Sequence, residues 1–166
     1  MSVYLISDLH IGHRNMALKR GYYVEVHNAL IIRNWNNVIS KRDKVFILGD
    51  ITMEKGDYSF LDQLSGTKEI ILGNHDLSKH VPRMLECESV TKVAGCVKYK
   101  GYMLSHIPVH TCEIGRFKGN IHGHVHENSV RKWWGGLDKR YYNMSCEEVH
   151  YRPQLFEDVI NRNLKE

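Results

Sequence analysis

Side chains that bind metals or transfer protons follow three apolar runs in the first half of the chain. These polar groups are Asp8 and His10 after residues 3–7, Asp50 after residues 44–48, and Asn74 with His75 after residues 68–72. Each apolar run has the length and composition of a buried strand. Gly73 is expected to let the backbone turn at the end of the third run. Because open α/β sheets bind ligands beyond the carboxyl ends of their strands, these positions predict a binding or catalytic site.

Three further histidines stand in comparable positions in the second half. His106 follows residues 102–105, while His124 and His126 follow residues 120–121. Taken singly, each has an ordinary explanation as a histidine near a turn or on the polar face of a surface strand. Together the residues favour a metal centre: Asp8, His10, Asp50, Asn74, His75, His106, His124 and His126. Mixed imidazole and carboxylate ligands suit Mn, Fe, Zn or Ni better than Mg or Ca, and their number fits two ions that share a carboxylate.

The elements that must position these residues differ between the two halves of the chain. Apolar residues at helical spacing predict a helix over residues 26–39 and shorter helices over residues 56–64 and 78–86. Their alternation with the three strands predicts a parallel sheet with right-handed crossovers. The second half has short runs typical of hairpin strands at residues 89–94, 97–99 and 102–105, and a further strand candidate at residues 141–146. An amphipathic helix is predicted to begin at Pro153, with Leu164 on its inner side.

Length, charge and cysteine content restrict the class of protein. A chain of 166 residues predicts one domain over residues 1–166. The net charge of +4 suits an anionic substrate but is too small to indicate nucleic-acid binding by itself. No apolar run approaches the roughly 20 residues that span a bilayer, and the first residues lack the basic segment of a signal peptide. The four cysteines have no paired spacing, so we expect reduced thiols in a cytoplasmic protein without membrane association.

Five short motifs occur in a specific order: Asp8-x-His10, Gly49-Asp50, Gly73-Asn74-His75-Asp76, His106 and Gly123-His124-x-His126. The ordered set resembles the signature of the calcineurin-like metallophosphoesterases and spans about three-quarters of the chain. Residues 7–13 and 151–153 are similar to the corresponding segments of the compact, cap-less branch found in bacteria and their phages. The resemblance implies a single-domain α/β/β/α sandwich, in which two packed mixed β-sheets are flanked by helices.

The resemblance also implies two divalent transition-metal ions, Mn, Fe, Zn or Ni, with Mn favoured in vitro. Their implied ligands are Asp8, His10 and His126 for the first ion, Asn74, His106 and His124 for the second, and Asp50 as the bridge. Only a carboxylate has two oxygens that can serve both ions. The neutral carbonyl oxygen of Asn74 leaves the second ion more electrophilic than another carboxylate would.

The remaining roles concern the substrate. Asn74 and His75 are implied to contact the substrate phosphate, with His75 alternatively protonating the leaving oxygen. Asp76 is implied to orient His75. Whether His13 and Arg14 contact the substrate stays open.

The function that follows is a dinuclear metal-dependent phosphoesterase, which hydrolyses phosphate monoesters or diesters through a hydroxide that bridges the two ions. Its substrate would be a phosphorylated small molecule or a nucleotide. One alternative is a nuclease with the same metal centre, because Arg131, Lys132, Trp133 and Trp134 offer charge beside a stacking surface. The competing interpretation of that segment is a partly buried tryptophan pair beside a solvated basic turn. Two more hypotheses are a non-catalytic scaffold and a structural zinc protein.

Overall fold

A computed structural model describes residues 1–52 and 56–162. The strands are β1 (Val3–Ile6), β2 (Lys44–Ile47), β3 (Thr67–Ile71), β4 (Val90–Ala94), β5 (Cys96–Tyr99), β6 (Tyr102–Ser105), β7 (Asn120–His122), β8 (Tyr141–Asn143) and β9 (Gln154–Leu155). The α-helices are α1 (Arg14–Lys19), α2 (Val24–Asn36), α3 (Val81–Leu85) and α4 (Phe156–Asn161). Short 3₁₀ segments cover Ser59–Gln63, Ser78–His80 and Ile114–Arg116.

The first sheet has the strand order β4-β3-β2-β1-β9. Strands β1 to β4 are parallel to their neighbours, and only β9 runs antiparallel, against β1. The parallel sheet predicted for the first half is therefore confirmed. The sequences of its central strands are nearly continuous apolar runs because both faces of the sheet are covered. Leu5, Phe46 and Ile70 accordingly have no or almost no exposed surface.

The second sheet has the order β5-β6-β7-β8. Strands β5 and β6 form an antiparallel hairpin, and β7 and β8 then join in parallel. The two sheets share one hydrophobic core, in which Leu104 and Ile121 belong to the same buried cluster as Leu5. The Phe46 ring on β2 lies 5.1 Å from the Tyr99 ring on β5. The predicted fold class, an α/β sandwich of two mixed sheets flanked by helices, is confirmed.

Several predicted boundaries are wrong. Residues 89–94 do not enter a hairpin, because β4 hydrogen-bonds in parallel to β3 at the edge of the first sheet. The predicted helix over residues 26–39 runs two residues earlier at its start and ends at Asn36. Residues 56–64 contain a 3₁₀ segment rather than an α-helix, and α1 was not predicted. The last helix begins at Phe156, because residues before it form β9. The prediction for Leu164 lies outside the described residues.

The carboxyl ends of the two sheets meet at one side of the sandwich. The Ser7 amide, directly after β1, donates to the Met144 carbonyl at 2.8 Å, and the Met144 amide donates to the His122 carbonyl at 2.7 Å. These bonds connect the ends of β1, β7 and β8. The loops that carry the candidate ligands start from these ends. No described helix combines the length and the apolar character needed to cross a membrane.

Candidate metal centre

Three of the predicted ligands converge beyond β1 and β7. The Nε2 atom of His10 lies 3.9 Å from Oδ1 of Asp8 and 3.7 Å from Oδ2 of Asp50. The Nε2 atom of His126 lies 3.9 Å from the same Asp8 oxygen. The candidate ligand atoms of Asp8, His10 and His126 are all within 4.8 Å of one another. The structure therefore brings together the three residues assigned to the first ion.

The other ligands form a second group around Asn74. Its Oδ1 atom lies 2.9 Å from Nε2 of His106 and 2.9 Å from Nδ1 of His124. The Nε2 atom of His106 is also 3.4 Å from Oδ1 of Asp50. Since Oδ2 of Asp50 faces His10, the two oxygens of this carboxylate face the two groups. Asp8 also reaches this side, because ligand atoms of Asp8, Asp50 and His106 lie within 4.8 Å of one another.

The first group fits a metal ion better than it fits a hydrogen-bond network. His10 is 2% exposed, and both of its ring nitrogens are buried without a hydrogen-bond partner among the described residues. Separations of 3.7–3.9 Å are too long for hydrogen bonds. They are still short enough for each side chain to lie about 2.0–2.2 Å from one central ion. Burial lowers the pKa of His10 to about 3, so its ring is neutral and has a lone pair to offer at neutral pH.

Two histidines are held in the tautomer that ligation requires. Nδ1 of His106 lies 2.8 Å from the Leu48 carbonyl oxygen, which can only accept, so this nitrogen carries the proton. Nδ1 of His126 lies 3.0 Å from Oε1 of Glu147. In both rings Nε2 faces the candidate ion position. Metal-ligating histidines commonly donate their second ring nitrogen to a carbonyl or carboxylate in this way.

Sequence reasoning missed Arg20 and Glu147. The buried Arg20 side chain donates from Nε to Oε1 of Glu147 at 2.8 Å and from Nη2 to the Asp8 carbonyl at 2.8 Å. Burial raises the pKa of Glu147, but the hydrogen bonds from His126 and Arg20 outweigh it and bring the value down to about 2. Arg20 thus supports both the Asp8 loop and the carboxylate that orients His126. Neither residue lies in a recognisable motif, so the sequence carries no signal for them.

The backbone at the ligands is unusual. Five of the seven predicted ligands have positive φ: Asp8 (57°), His10 (48°), Asp50 (53°), His124 (71°) and His126 (50°). Left-handed backbone costs a non-glycine residue on the order of 1–3 kcal/mol and persists where the surroundings enforce it. Here the loops hold each other, since the His10 amide donates to the Asp50 carbonyl at 2.9 Å. Such conformations gather at functional sites.

Glycines stand directly before three ligand positions because the loops touch. A Cβ atom at Gly73 would overlap the Asp50 carboxylate, and one at Gly123 would overlap the side chains of Ser7 and Asp8. The chain turns at Gly73 as expected, since the Asp76 amide donates to the Gly73 carbonyl at 3.2 Å, but the φ of Gly73 is not in the left-handed region. Glycine is required there for the close approach of the Asp50 loop.

Asp76, which the resemblance implies to orient His75, bonds to backbone amides of two loops. Its carboxylate accepts hydrogen bonds from the backbone amides of Asp50 at 2.7 Å, Gly73 at 2.9 Å and Ile51 at 3.1 Å. Among the described residues none of its hydrogen bonds reaches His75. Burial raises the pKa of Asp76, while these backbone bonds act in the opposite direction. Asp76 joins the loop after β2 to the loop after β3, and so positions Asp50 and Asn74.

The open side of the site carries the residues expected to meet the substrate. Asn74 is exposed and His75 is half-buried, and the His75 ring lies 5.8 Å from the His10 ring. The His75 amide donates to Oδ1 of Asp50 at 3.0 Å. The His13 ring lies 5.6 Å from the His10 ring, and its Nδ1 accepts from the Met16 amide at the start of α1. Arg14 is exposed in the same helix.

Comparison with known proteins supports the fold and a family, but gives no activity. No protein-family profile matches the chain. An uncharacterized protein of Methanocaldococcus jannaschii is 32% identical over 168 residues, which cover 95% of this chain and 89% of that protein. The gene 66 protein of Mycobacterium phage D29 is 31% identical over 78% of this chain and 81% of its own length. The chain belongs to the family of these two proteins.

Two further matches are shorter or more distant. The gene 66 protein of Mycobacterium phage L5 is 42% identical over 82 residues, which cover 45% of this chain and 40% of that protein. A crystal structure of a protein of unknown function from Aquifex aeolicus covers 95% of this chain with a TM-score of 0.69. At 24% sequence identity this likeness concerns the fold alone.

Proposed function

We propose that this protein is a phosphoesterase of the calcineurin-like metallophosphoesterase type, acting on phosphate monoesters or diesters of small molecules or nucleotides. The observation that carries the proposal is the position of Asp50, whose two carboxylate oxygens face two separate groups of candidate ligands. The unpartnered, buried ring of His10 beside it supports an ion at the first group.

Residues Asp8, His10 and His126 would hold one divalent ion and Asn74, His106 and His124 the other, with Asp50 between them. When bound, two such metal ions would polarise phosphate oxygens and lower the pKa of a bound water. The donor set suits Mn, Fe, Zn or Ni, and manganese is the first ion to supply in vitro.

The side chains at the open face act on the substrate. His75 lies beside the His10 ring with its backbone bonded to Asp50, so its position relative to the candidate ions is fixed. From there its imidazole binds a phosphate oxygen or transfers a proton to the leaving oxygen. The exposed Asn74 lies next to it at the same opening. Asp76, Arg20 and Glu147 support this geometry through hydrogen bonds to the loops and side chains that carry the candidate ligands.

The test is hydrolysis of an aryl phosphate and of a bis-aryl phosphodiester with added Mn²⁺. Activity should disappear on complete chelation and in Asp50→Ala. His75→Ala should retain its metal content, measured by mass spectrometry, and lose turnover, whereas Asn74→Ala should weaken metal binding. His110→Ala, at an exposed histidine outside the site, is the matched control. Activity that survives chelation or Asp50→Ala would refute the proposal, and loss of metal in His75→Ala would refute the role given to His75.

A nuclease with the same centre is the second candidate, because Trp133 and Trp134 are exposed rather than partly buried. The interpretation of a partly buried pair is therefore wrong. A steep loss of nucleic-acid binding with rising salt would favour the nuclease. A scaffold without turnover would fold and bind partners when free of metal. We also propose a cytoplasmic location, because the four cysteines are free thiols in the described part of the chain.

A further inference from the structure

A second feature of the molecule lies outside the candidate metal centre. Between β7 and β8, residues 131–140 form a loop, called here the tryptophan loop, which carries two adjacent indoles. Trp133 is 93% exposed and Trp134 is 61% exposed. Their rings are perpendicular, with centroids 5.5 Å apart and an interplanar angle of 87°. Two neighbouring tryptophans that leave this much apolar surface in water indicate a surface that binds a partner.

The tryptophan loop is held by its own hydrogen bonds, so the indoles are presented by a defined backbone. Arg131 and Leu137 form an antiparallel bridge. The Lys132 amide donates to the Gly136 carbonyl at 2.7 Å, and Nη1 of Arg131 donates to the Gly135 carbonyl at 2.9 Å. The tryptophans therefore project from a small turn whose backbone is fixed by hydrogen bonds.

Positive charge surrounds the indoles. The basic residues of the loop are Arg131, Lys132, Lys139 and Arg140, and its one acidic residue is Asp138. The buried Asp138 carboxylate is occupied by the Arg140 guanidinium, at 2.9 and 2.6 Å. Four positive charges and one negative charge leave a formal charge of +3. Nζ of Lys132 lies 5.0 Å from the centre of the Trp134 ring, which leaves Trp133 with the more open face.

These residues line a groove of about 500 Å³, together with Thr111. This volume falls within the roughly 300–1,000 Å³ of ordinary small-ligand sites. A duplex fits less well, because its bases are already stacked inside the helix. An anionic lipid surface is the other occupant that tryptophans beside basic residues bind, and the vesicles in the test below distinguish it.

We propose that the tryptophan loop binds single-stranded nucleic acid, with a base stacked on Trp133 and phosphates held by the surrounding basic residues. Stacking on aromatic side chains beside a basic groove is how single strands are bound without sequence preference. The proposal goes beyond the phosphoesterase proposal, since it needs no turnover. Trp133 follows His126 by seven residues, so their Cα atoms are at most about 25 Å apart. A bound strand of several nucleotides is long enough to span that distance.

The test is a fluorescence-anisotropy titration of the full chain with labelled 12-nucleotide single-stranded RNA and DNA, a duplex of equal length, and anionic lipid vesicles. Oligonucleotide length is checked on a gel after each titration. Trp133→Ala should raise the Kd for single strands about 5- to 150-fold, the range for one lost base stack. Trp133→Phe should retain most of the binding. Tyr23→Ala, at an aromatic residue 75% exposed at the start of α2, is the matched control and should not change it.

The basic residues give an independent readout. Lys132→Gln should weaken binding to all single strands alike and reduce the slope of log Kd against log salt by about 1. Duplex binding as tight as single-strand binding, tryptophan-dependent binding to vesicles alone, or single-strand binding unchanged in Trp133→Ala would each overturn the proposal. This experiment measures binding, so a negative result would refute the nucleic-acid proposal without bearing on the phosphoesterase proposal. Absence of aryl phosphate hydrolysis would likewise not refute nucleic-acid binding.

Discussion

Replacing Asp76 with asparagine tests whether this residue braces the site or acts through His75. In the folded chain its two oxygens accept three backbone amides, from Asp50, Ile51 and Gly73. Asparagine keeps one oxygen and turns the other into a donor, which then faces an amide N–H. One charge-assisted hydrogen bond, about 1.5–3 kcal/mol, is lost, and the remaining two become neutral and weaker. The neutral amide recovers part of the cost of burying a charge. We expect a net loss of about 2–3 kcal/mol in the free energy of unfolding.

Urea denaturation of the metal-free chain, followed by circular dichroism, measures this loss directly. Asp158→Asn is the matched control, because Asp158 is an exposed acid in the first turn of α4. Its replacement should cost no more than about 1 kcal/mol, the usual size of a charge interaction with a helix end. Since Asp76 connects the Asp50 loop to the Asn74 loop, Mn²⁺ affinity should fall in Asp76→Asn as well.

One result would refute the bracing role. If Asp76→Asn unfolds within about 1 kcal/mol of the parent chain and keeps its metal affinity, but turns over with a shifted pH profile, the three backbone bonds contribute little. Asp76 would then act through His75, as the resemblance implied.

Three further substitutions test the surroundings of the site. Gly123→Ala should cost about 1–3 kcal/mol and weaken Mn²⁺ binding, whereas Gly115→Ala, where a Cβ meets no atom within 4 Å, should not; urea unfolding and metal titration check both. Burial lowers the pKa of His122 to about 4, so between about pH 6.5 and 4 only the unfolded chain gains its proton, and this residue should contribute about 3 kcal/mol to the loss of stability over that range. His122→Gln should remove that contribution in urea unfolding. Glu147→Gln should weaken Mn²⁺ binding about 10- to 100-fold, and Glu148→Gln, at its exposed neighbour, should leave a competition titration unchanged.

The convergence of the candidate ligands could be expected from the sequence because they follow strand ends. A buried parallel strand is a short apolar run that is visible without a structure, and its carboxyl end must lie beside those of its neighbours. Asp8, Asp50 and Asn74 therefore could be expected to meet from the order of three runs alone. The histidines of the second half required the ordered motifs, since short strands with glycines between them do not define their own partners.

Contacts between residues distant in sequence could not be predicted. Strand β4 resembles a hairpin strand because it lies directly before β5, yet its partner is β3 in the other sheet. Arg20 and Glu147 are ordinary charged residues in sequence and meet only because α1 and the segment after β8 pack on the same side. Asp76 stands beside His75 in sequence, but its carboxylate is turned toward the backbone of another loop. The order of residues along the chain does not show which distant residues each side chain or strand will contact.

The left-handed residues connect the stability of the fold to the site. Each of Asp8, His10 and Asp50 adopts a backbone conformation that costs the isolated loop energy, and each is held there by the amides and carbonyls of its neighbour. A loop relaxed to ordinary φ would turn its carboxylate or imidazole away from the point that the other side chains face. The strain is therefore the condition for convergence, and the hydrogen bonds of Asp76 and of the Arg20–Glu147 pair maintain it. It follows that substitutions at these three residues should lower metal affinity even though none of them is a predicted ligand.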